Sequence, residues 1–259
     1  MQDEKMKQEK IIFQNSKGQK LVGVLYSSEY NKESPIVVFC HGYRSTKDTS
    51  KVKPLAENLT LNEISLFAFD FSGRGESEGK FEDTTITQYI DDLKCAIDKI
   101  SKFTEGIGVI GSSLGGLVSL QETIQDKRVK ALVLLSPVSH FPWRISKEFS
   151  QKGLKEWKEK GYAFTFSEKF GKLKINYSFY EDGAKYGDYS VYKNINIPVL
   201  VFHGTVDESV SIEDSKRLIK YLKNPKLITL EGADHRYTTP NDFNKVIGET
   251  SKFIIEVLK

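Results

Sequence analysis

The sequence predicts an α/β protein built around a mainly parallel β-sheet. Short apolar runs such as "PIVVFCHG" and "SLFAFDFSG" are continuous rather than alternating, as in strands that are covered on both faces. Segments with helical spacing of apolar residues follow these runs, and "TITQYIDDLKCAIDKI" is the clearest of them. Repeated alternation of the two patterns is typical of helices packed on both faces of one sheet.

The chain opens with two amphipathic runs, "IIFQNS" and "KLVGVLYSS", which predict an antiparallel hairpin with Gly18 at its turn. Four buried strands follow, in "PIVVFCHG", "SLFAFDFSG", "GIGVIGS" and "KALVLLSP". Helices are predicted at "VKPLAENLTL", at "TITQYIDDLKCAIDKI" and at "LGGLVSLQETIQ". Ligands of such sheets bind beyond the carboxyl ends of the strands, so candidate functional residues are sought there.

After Pro137 the alternation stops, and residues 138–192 are rich in aromatic residues and lysines. We predict that this segment is a small cap inserted after the sixth strand, with a hairpin around Gly171. The alternation of strands and helices then resumes, with strands predicted at "IPVLVFHG" and "KLITLEG" and helices at "IEDSKRLIKYL" and "FNKVIGETSKFIIEVL". We expect residues 1–259 to form a single domain that contains the cap.

Composition argues against several functional classes. The 259 residues are 39% hydrophobic and 28% charged, and a net charge of +3 gives no case for nucleic-acid binding. The segment "MQDEKMKQEK" lacks the apolar core of a secretory signal, and no apolar run approaches the roughly 20 residues that span a bilayer. We therefore expect a cytoplasmic protein without membrane insertion. Whether it forms a homodimer stays open.

No metal or cofactor is expected, because neither an HExxH motif nor a cysteine cluster is present. Cys40 and Cys95 are predicted to be buried, reduced thiols, although the sequence leaves a disulfide open.

The segment from Gly111 to Gly115, "GSSLG", fits the pattern G-x-S-x-G between a predicted strand and a predicted helix. In that setting Ser113 would sit on a sharp, strained turn with its hydroxyl lifted out of the sheet. Glycine is expected on either side because side chains there would collide across the turn. Ser113 is therefore the candidate nucleophile, and Ser112 is expected to be structural.

A serine nucleophile needs a base, and the base needs an orienting partner. His235 follows the last strand in "LEGADHRY", whereas His203 lies at a strand end and is expected to be packed. Asp207 follows the same strand in a loop. Ser, Asp and His in this chain order are typical of one hydrolase arrangement.

Two other carboxylates compete for the acid role. Glu208 is next to Asp207, and Asp234 is next to His235. We expect Asp234 to accept hydrogen bonds within its own turn.

An oxyanion hole needs two preorganised N–H donors. The N–H of Leu114, directly after the nucleophile, is one candidate, and the N–H of Tyr43 in "FCHGYRS" is the other. His41 in the same segment is expected to organise the loop. His140, at the mouth of the insertion, is a candidate for either a surface or a substrate-lining role.

With these residues in place, the sequence resembles the α/β-hydrolase superfamily over nearly its whole length. The motifs "HGYRST", "DFSGRGESEG", "GSSLGG", "HGTVDESV" and "GADHRY" occur in the family's order and spacing. Within it the chain is similar to bacterial carboxylesterases of the feruloyl (cinnamoyl) esterase group and to the serine aminopeptidase-like and monoglyceride-lipase-like groups. The resemblance implies the α/β-hydrolase fold, with Ser113 as nucleophile, Asp207 as acid, His235 as base, and the Tyr43 and Leu114 N–H groups as the oxyanion hole.

In the same resemblance, Asp70, Gly73, Gly75 and Ser77 of "DFSGRGESEG" shape a turn beside the active site. Leu114 departs from the Gln or Met that many close esterases carry there, although only its backbone should contact the oxyanion.

These observations predict a serine carboxylesterase, of the EC 3.1.1 class, that acts on small-molecule esters. A short cap favours short-chain or aromatic acyl groups, with His140, Phe141 and Trp143 as candidate substrate-binding residues. A peptidase, a thioesterase or a monoacylglycerol lipase would use the same residues. A non-catalytic binding protein with this fold is a further alternative.

Overall fold

The structure, a computed structural model, describes residues 6–28, 34–167 and 169–259. The strands in these residues are β1 (Lys7–Gln14), β2 (Lys20–Ser27), β3 (Ile36–Cys40), β4 (Ser65–Phe69), β5 (Ile107–Ser112), β6 (Val129–Leu135), β7 (Tyr162–Ser167), β8 (Gly171–Asn176), β9 (Pro198–Gly204) and β10 (Asn224–Leu230). Eight of them form one sheet in the order β1-β2-β4-β3-β5-β6-β9-β10, and β7 pairs with β8. In the large sheet only the β1–β2 and β2–β4 pairs are antiparallel. The mainly parallel sheet is thus confirmed.

The helices are α1 (Val52–Thr60), α2 (Ile86–Ile100), α3 (Leu114–Gln125), α4 (Phe141–Glu148), α5 (Gln151–Lys160), α6 (Tyr177–Gly183), α7 (Ile212–Leu218) and α8 (Pro240–Leu258). α2 and α3 pack on one face of the sheet, and α1 and α8 pack on the other. Strand β3 supplies Val38 to the first apolar layer and Phe39 to the second. Burial on both faces explains why its sequence is continuously apolar.

The predicted N-terminal hairpin is present, with Gln14 opposite Lys20 and Gly18 at a φ of +76° in the turn. The Asn15 side chain accepts the N–H groups of Lys17 and Gln19 and so closes this turn. Residues 1–5, on which part of the expectation about a secretory signal rests, lie outside the described residues.

The insertion after the sixth strand is confirmed. It holds α4, α5, the β7–β8 hairpin, α6 and a short 3₁₀ helix (Tyr189–Asn194) before β9 begins. The hairpin turns where the sequence predicts it, with Ser167 opposite Gly171. The insertion has a small core of its own around Trp157. The Trp157 indole N–H donates to the Ile175 carbonyl (3.2 Å), and its ring stacks on Phe149.

The two cysteines are free thiols: Cys40 is buried, whereas Cys95 is only partly so. Among the described helices, none is both long enough and apolar enough to cross a membrane. The described residues also hold no cluster of three or more His, Cys, Asp or Glu side chains suited to a metal ion. That residues 1–259 form one domain stays a prediction.

Candidate active site

Three predicted site residues meet at the carboxyl edge of the sheet. Ser113 lies between β5 and α3, Asp207 lies in the loop after β9, and His235 lies in the loop after β10. The Ser113 Oγ is 3.1 Å from the His235 Nε2, and the His235 Nδ1 is 2.7 Å from the Asp207 Oδ2. A proton on Nδ1 that is donated to Asp207 leaves Nε2 free to accept the serine proton.

Ser113 has the strained backbone that its motif predicts, with a φ of 53° and a ψ of −119°. A Cβ on Gly111 would lie 2.5 Å from the Ser119 Oγ, and one on Gly115 would lie 2.3 Å from the Cys40 carbonyl oxygen. Both positions therefore require glycine for close packing around the turn. The turn raises the serine side chain toward the His235 imidazole.

Asp207 is held in place from several directions. Its Oδ1 accepts the N–H groups of Ser209 (2.9 Å) and Val210 (2.8 Å), and its side chain is fully buried. Burial alone would raise the pKa of this carboxyl, but hydrogen bonds from His203 and His235 hold the pKa well below its usual range. Asp207 is therefore a carboxylate under all ordinary conditions.

His203 is packed at its strand end, as the sequence predicts, but it also contacts Asp207, which the sequence analysis missed. Its Nε2 lies 2.8 Å from the Val210 carbonyl oxygen and 3.2 Å from the Asp207 Oδ2. Its Nδ1 lies 2.7 Å from the Ser215 hydroxyl oxygen. The only hint of this contact in the sequence is that His203 stands four residues before Asp207.

The competing carboxylates lie elsewhere. Glu208 is exposed to solvent. Asp234 accepts the N–H groups of Arg236 (3.2 Å) and Thr238 (2.9 Å) and the Thr238 hydroxyl (2.7 Å), so it organises its own turn. Neither has the bond to His235 that Asp207 makes.

The two predicted oxyanion donors flank the Ser113 side chain. Leu114 is the first residue of α3, where a backbone N–H has no partner within the helix. Tyr43 follows Gly42, and a Cβ on Gly42 would lie only 3.3 Å from the Ser113 Cβ. The loop after β3 therefore runs directly beside the serine.

His41 organises this loop. Its Nδ1 lies 2.8 Å from the Gly42 carbonyl oxygen, and its Nε2 accepts the Phe71 N–H (3.2 Å). Burial lowers the pKa of the His41 imidazole to about 4, so the ring is neutral near pH 7.

The turn after β4 supports the same loop, as the resemblance implies. Asp70 is completely buried and accepts the Lys47 N–H (2.7 Å) and the Glu76 N–H (3.0 Å). The Ser77 hydroxyl donates to the Asp70 carbonyl oxygen (2.6 Å). The bond to the Lys47 N–H anchors the loop after β3, which contains Tyr43.

A cavity of about 390 Å³ opens at Ser113 and is covered by the cap. Its apolar lining includes Leu114, Val138, Phe141, Ile145, Phe149, Ile175 and Phe179. Phe141, Ile145 and Glu148 come from one face of α4, because residues four and seven positions apart point the same way on a helix.

Phe141 thus lines the cavity, whereas His140 and Trp143 are not among its lining residues. His140 caps α4, with its Nδ1 accepting the Trp143 N–H (3.0 Å). Trp143 is two residues from Phe141, which is about 200° around the helix. Its ring packs against the cations of Lys147 and Arg217 instead.

Positive charge dominates the polar part of the cavity. Among the described residues that line it, the cations are Arg44, Lys51, Arg144, Lys169 and Arg236, and the one carboxylate is Glu148. Glu148 is paired with Arg144 at 3.0 Å. The Arg44 guanidinium donates to the Thr165 hydroxyl (2.9 Å) and the Phe166 carbonyl (2.6 Å), which ties the loop after β3 to the cap.

Comparisons with known proteins agree with this architecture. The structure of Est1E from Butyrivibrio proteoclasticus with ferulic acid bound has a TM-score of 0.84 and 25% identity, over 95% of this chain and 98% of that one. Mouse α/β hydrolase domain-containing protein 10 has a TM-score of 0.82 and 22% identity, over 96% and 99%. These likenesses confirm the α/β-hydrolase fold.

Sequence relatives place the chain in a family. The human palmitoyl-protein thioesterase ABHD10, mitochondrial, is 25% identical over 226 residues, which cover 83% of this chain and 71% of the relative. The family described as "Serine aminopeptidase, S33" (Hydrolase_4) matches residues 31–176, more than half of the chain. The protein therefore belongs to the serine aminopeptidase S33 family of α/β hydrolases.

Proposed function

We propose that this protein is a serine hydrolase that cleaves carboxylic esters through an acyl-enzyme intermediate. The observation that carries the proposal is the continuous hydrogen-bonded chain from Ser113 through His235 to Asp207. A nucleophile, a base and an orienting carboxylate in this geometry have one well-understood chemical use.

In the first half of the reaction, the Ser113 oxygen attacks the carbonyl carbon of the ester while its proton moves to the His235 Nε2. The carbonyl oxygen becomes an oxyanion, which the N–H groups of Tyr43 and Leu114 stabilise. The bond to the alcohol oxygen then breaks, and His235 donates its proton to that oxygen. The alcohol leaves, and the acyl group stays on Ser113.

In the second half, water attacks the acyl carbon and gives a proton to His235, and Ser113 leaves with that proton restored. Asp207 remains ionised throughout, as its lowered pKa requires, and stabilises the imidazolium. A binding protein without activity has no need for this complete arrangement, which argues against that alternative.

We assign short-chain or aromatic acyl groups to the apolar part of the cavity. Its volume of about 390 Å³ lies toward the small end of ligand pockets, which span roughly 300–1,000 Å³. Buried side chains of the cap, Phe141, Ile145 and Phe179, supply its wall. The ferulic acid bound to Est1E supports an aromatic acyl group among the candidate substrates.

Thioester cleavage is a second candidate, because the human relative is named as a palmitoyl-protein thioesterase. The same nucleophile and base would serve, with a sulfur atom in place of the leaving oxygen. Amide cleavage is a third candidate, because the family is described as serine aminopeptidases.

The deciding experiment measures kcat/KM for p-nitrophenyl esters from acetate to palmitate, a hydroxycinnamate ester, an S-acyl thioester and an aminoacyl anilide. We expect the highest values for esters from acetyl to hexanoyl or for the hydroxycinnamate. A clear preference for palmitate, for the thioester or for the anilide would contradict the substrate assignment.

A further inference from the structure

Lys51 is a cation in an unusual position. It directly precedes α1, yet it is only 7% exposed and lines the cavity that contains Ser113. Lysine is almost never this buried unless it is paired with an anion. Within the described residues, no carboxylate lies within 4 Å of its ammonium group, which sits 5.5 Å from the centre of the Tyr237 ring.

The electrostatic surroundings of Lys51 are unfavourable for a charge. Burial, with a contribution from the positive charge of Arg236, lowers the pKa of the Lys51 ammonium from 10.5 to about 8, while Asp234 opposes the shift. At pH 7 the group is nevertheless charged. An anion that binds in the cavity beside this cation would offset the cost of burying its charge.

Lys51 lines the same cavity as the candidate base, His235. His235 must reach the leaving-group atom, because it delivers the proton to that atom. Arg236 follows His235 in the chain, lines the same cavity and lies near enough to Lys51 to affect its charge. Because Arg236 directly follows this base in the chain, we take the two cations to face the leaving group.

The cavity also has hydroxyl side chains in its lining that suit an anion. Ser45, Thr49, Ser50 and Ser209 line the cavity together with Lys51 and Arg236. Hydroxyl groups donate hydrogen bonds to carboxylate or phosphate oxygens, and an ammonium neutralises their charge.

We propose that Lys51 and Arg236 form a subsite for an anionic group on the leaving-group side of the substrate. The preferred substrates are then esters or thioesters whose departing alcohol or thiol carries a carboxylate or a phosphate. This inference rests on the proposed function, since it assigns the leaving group of the same reaction.

The test compares substrates that differ only in the charge of the leaving group. The first pair is 3-carboxy-4-nitrophenyl butyrate and its neutral methyl ester. The second pair is S-butyryl-4′-phosphopantetheine and S-butyryl-pantetheine, which separates a phosphate source from a carboxylate source. For the wild-type protein we expect kcat/KM to favour the anionic member of at least one pair by about tenfold, the size of one charge-assisted hydrogen bond.

The variant Lys51→Met keeps the aliphatic stem and removes the charge, whereas Lys51→Arg keeps the charge. Lys53→Met is the matched control, because it removes one positive charge two residues further along, in α1, at a side chain that is 73% exposed. We expect the ratio of anionic to neutral kcat/KM to fall about tenfold in Lys51→Met and to stay near the wild-type ratio in the other two variants.

The outcomes separate the subsite from the underlying chemistry. Equal kcat/KM within both pairs for the wild-type protein, or an unchanged ratio in Lys51→Met, would overturn the subsite while leaving ester hydrolysis intact. If the wild-type protein cleaves none of the four compounds and no other ester, the proposed function fails and the subsite inference fails with it.

Discussion

Replacing Lys51 by methionine should make the folded protein more stable, since the substitution removes a buried charge that lacks a paired anion. The pKa of the ammonium falls from 10.5 to about 8 on folding. A shift of this size corresponds to about 3 kcal/mol, at roughly 1.4 kcal/mol per pKa unit. Contact of the cation with the Tyr237 ring returns up to about 1 kcal/mol. We therefore expect Lys51→Met to raise the free energy of unfolding by about 2 kcal/mol near pH 7.

The pH dependence of this difference has a definite sign. The folded-state pKa lies below the unfolded-state value, so between about pH 8 and 10.5 the unfolded chain binds more protons at this lysine. The wild-type protein should gain stability at Lys51 as pH rises through that window, and the advantage of Lys51→Met should shrink. Two groups near Lys51 keep their charge state across that window, because Asp234 has a lowered pKa and burial raises the pKa of Tyr237.

Urea unfolding of the wild-type protein, Lys51→Met and Lys53→Met at several pH values measures these differences. Lys53→Met should stay within about 0.5 kcal/mol of the wild-type protein, because exposed side chains contribute little. A loss of stability in Lys51→Met, or an advantage that does not change between about pH 7 and 10.5, would refute the reasoning.

Three further predictions concern the site and its supports. Asp207→Asn should lower kcat about 10⁴-fold in a folded protein, as measured with p-nitrophenyl butyrate. Asp234→Asn should cost far less, because the Asp234 side chain bonds within its own turn and not to His235. Gly115→Ala should yield little soluble, active protein, because its Cβ would lie 2.3 Å from a backbone oxygen. In Gly248→Ala, in α8, the added Cβ meets nothing within 4 Å, so thermal unfolding should show a folded protein that is more stable by up to about 1 kcal/mol. The preference for anionic leaving groups should decline as pH rises through about 8, where Lys51 loses its proton, and a constant ratio of kcat/KM would argue against it.

Much of the fold could be predicted because its signals are local in the sequence. Strands such as β3 are apolar throughout since both faces are buried, and the glycines around Ser113 mark a turn that admits no side chain. The order of Ser113, Asp207 and His235 follows from the order of the strands that carry them. The Asp234 prediction succeeded for a similar reason, since a carboxylate two residues before an N–H commonly closes a turn.

The cap could not be predicted as well because short helices leave weak patterns. α4 has eight residues, and without its helical phase the sequence could not show that Phe141 faces the cavity while Trp143 faces away. Nor did the sequence distinguish Lys51 from the many exposed lysines. Its burial depends on the loop after β10, which is distant in the chain and meets it only in the folded protein.

Covalent labelling with a fluorophosphonate probe tests whether Ser113 is a nucleophile activated by His235. Intact-mass and peptide analysis should find one probe adduct, on Ser113. Ser113→Ala should abolish both the adduct and ester hydrolysis, with a loss in kcat of about 10⁶-fold. Ser112→Ala is the matched control and should still be labelled, because the His235 Nε2 contacts the Ser113 Oγ. An adduct that persists in Ser113→Ala, or that lies on Ser112, would contradict the account.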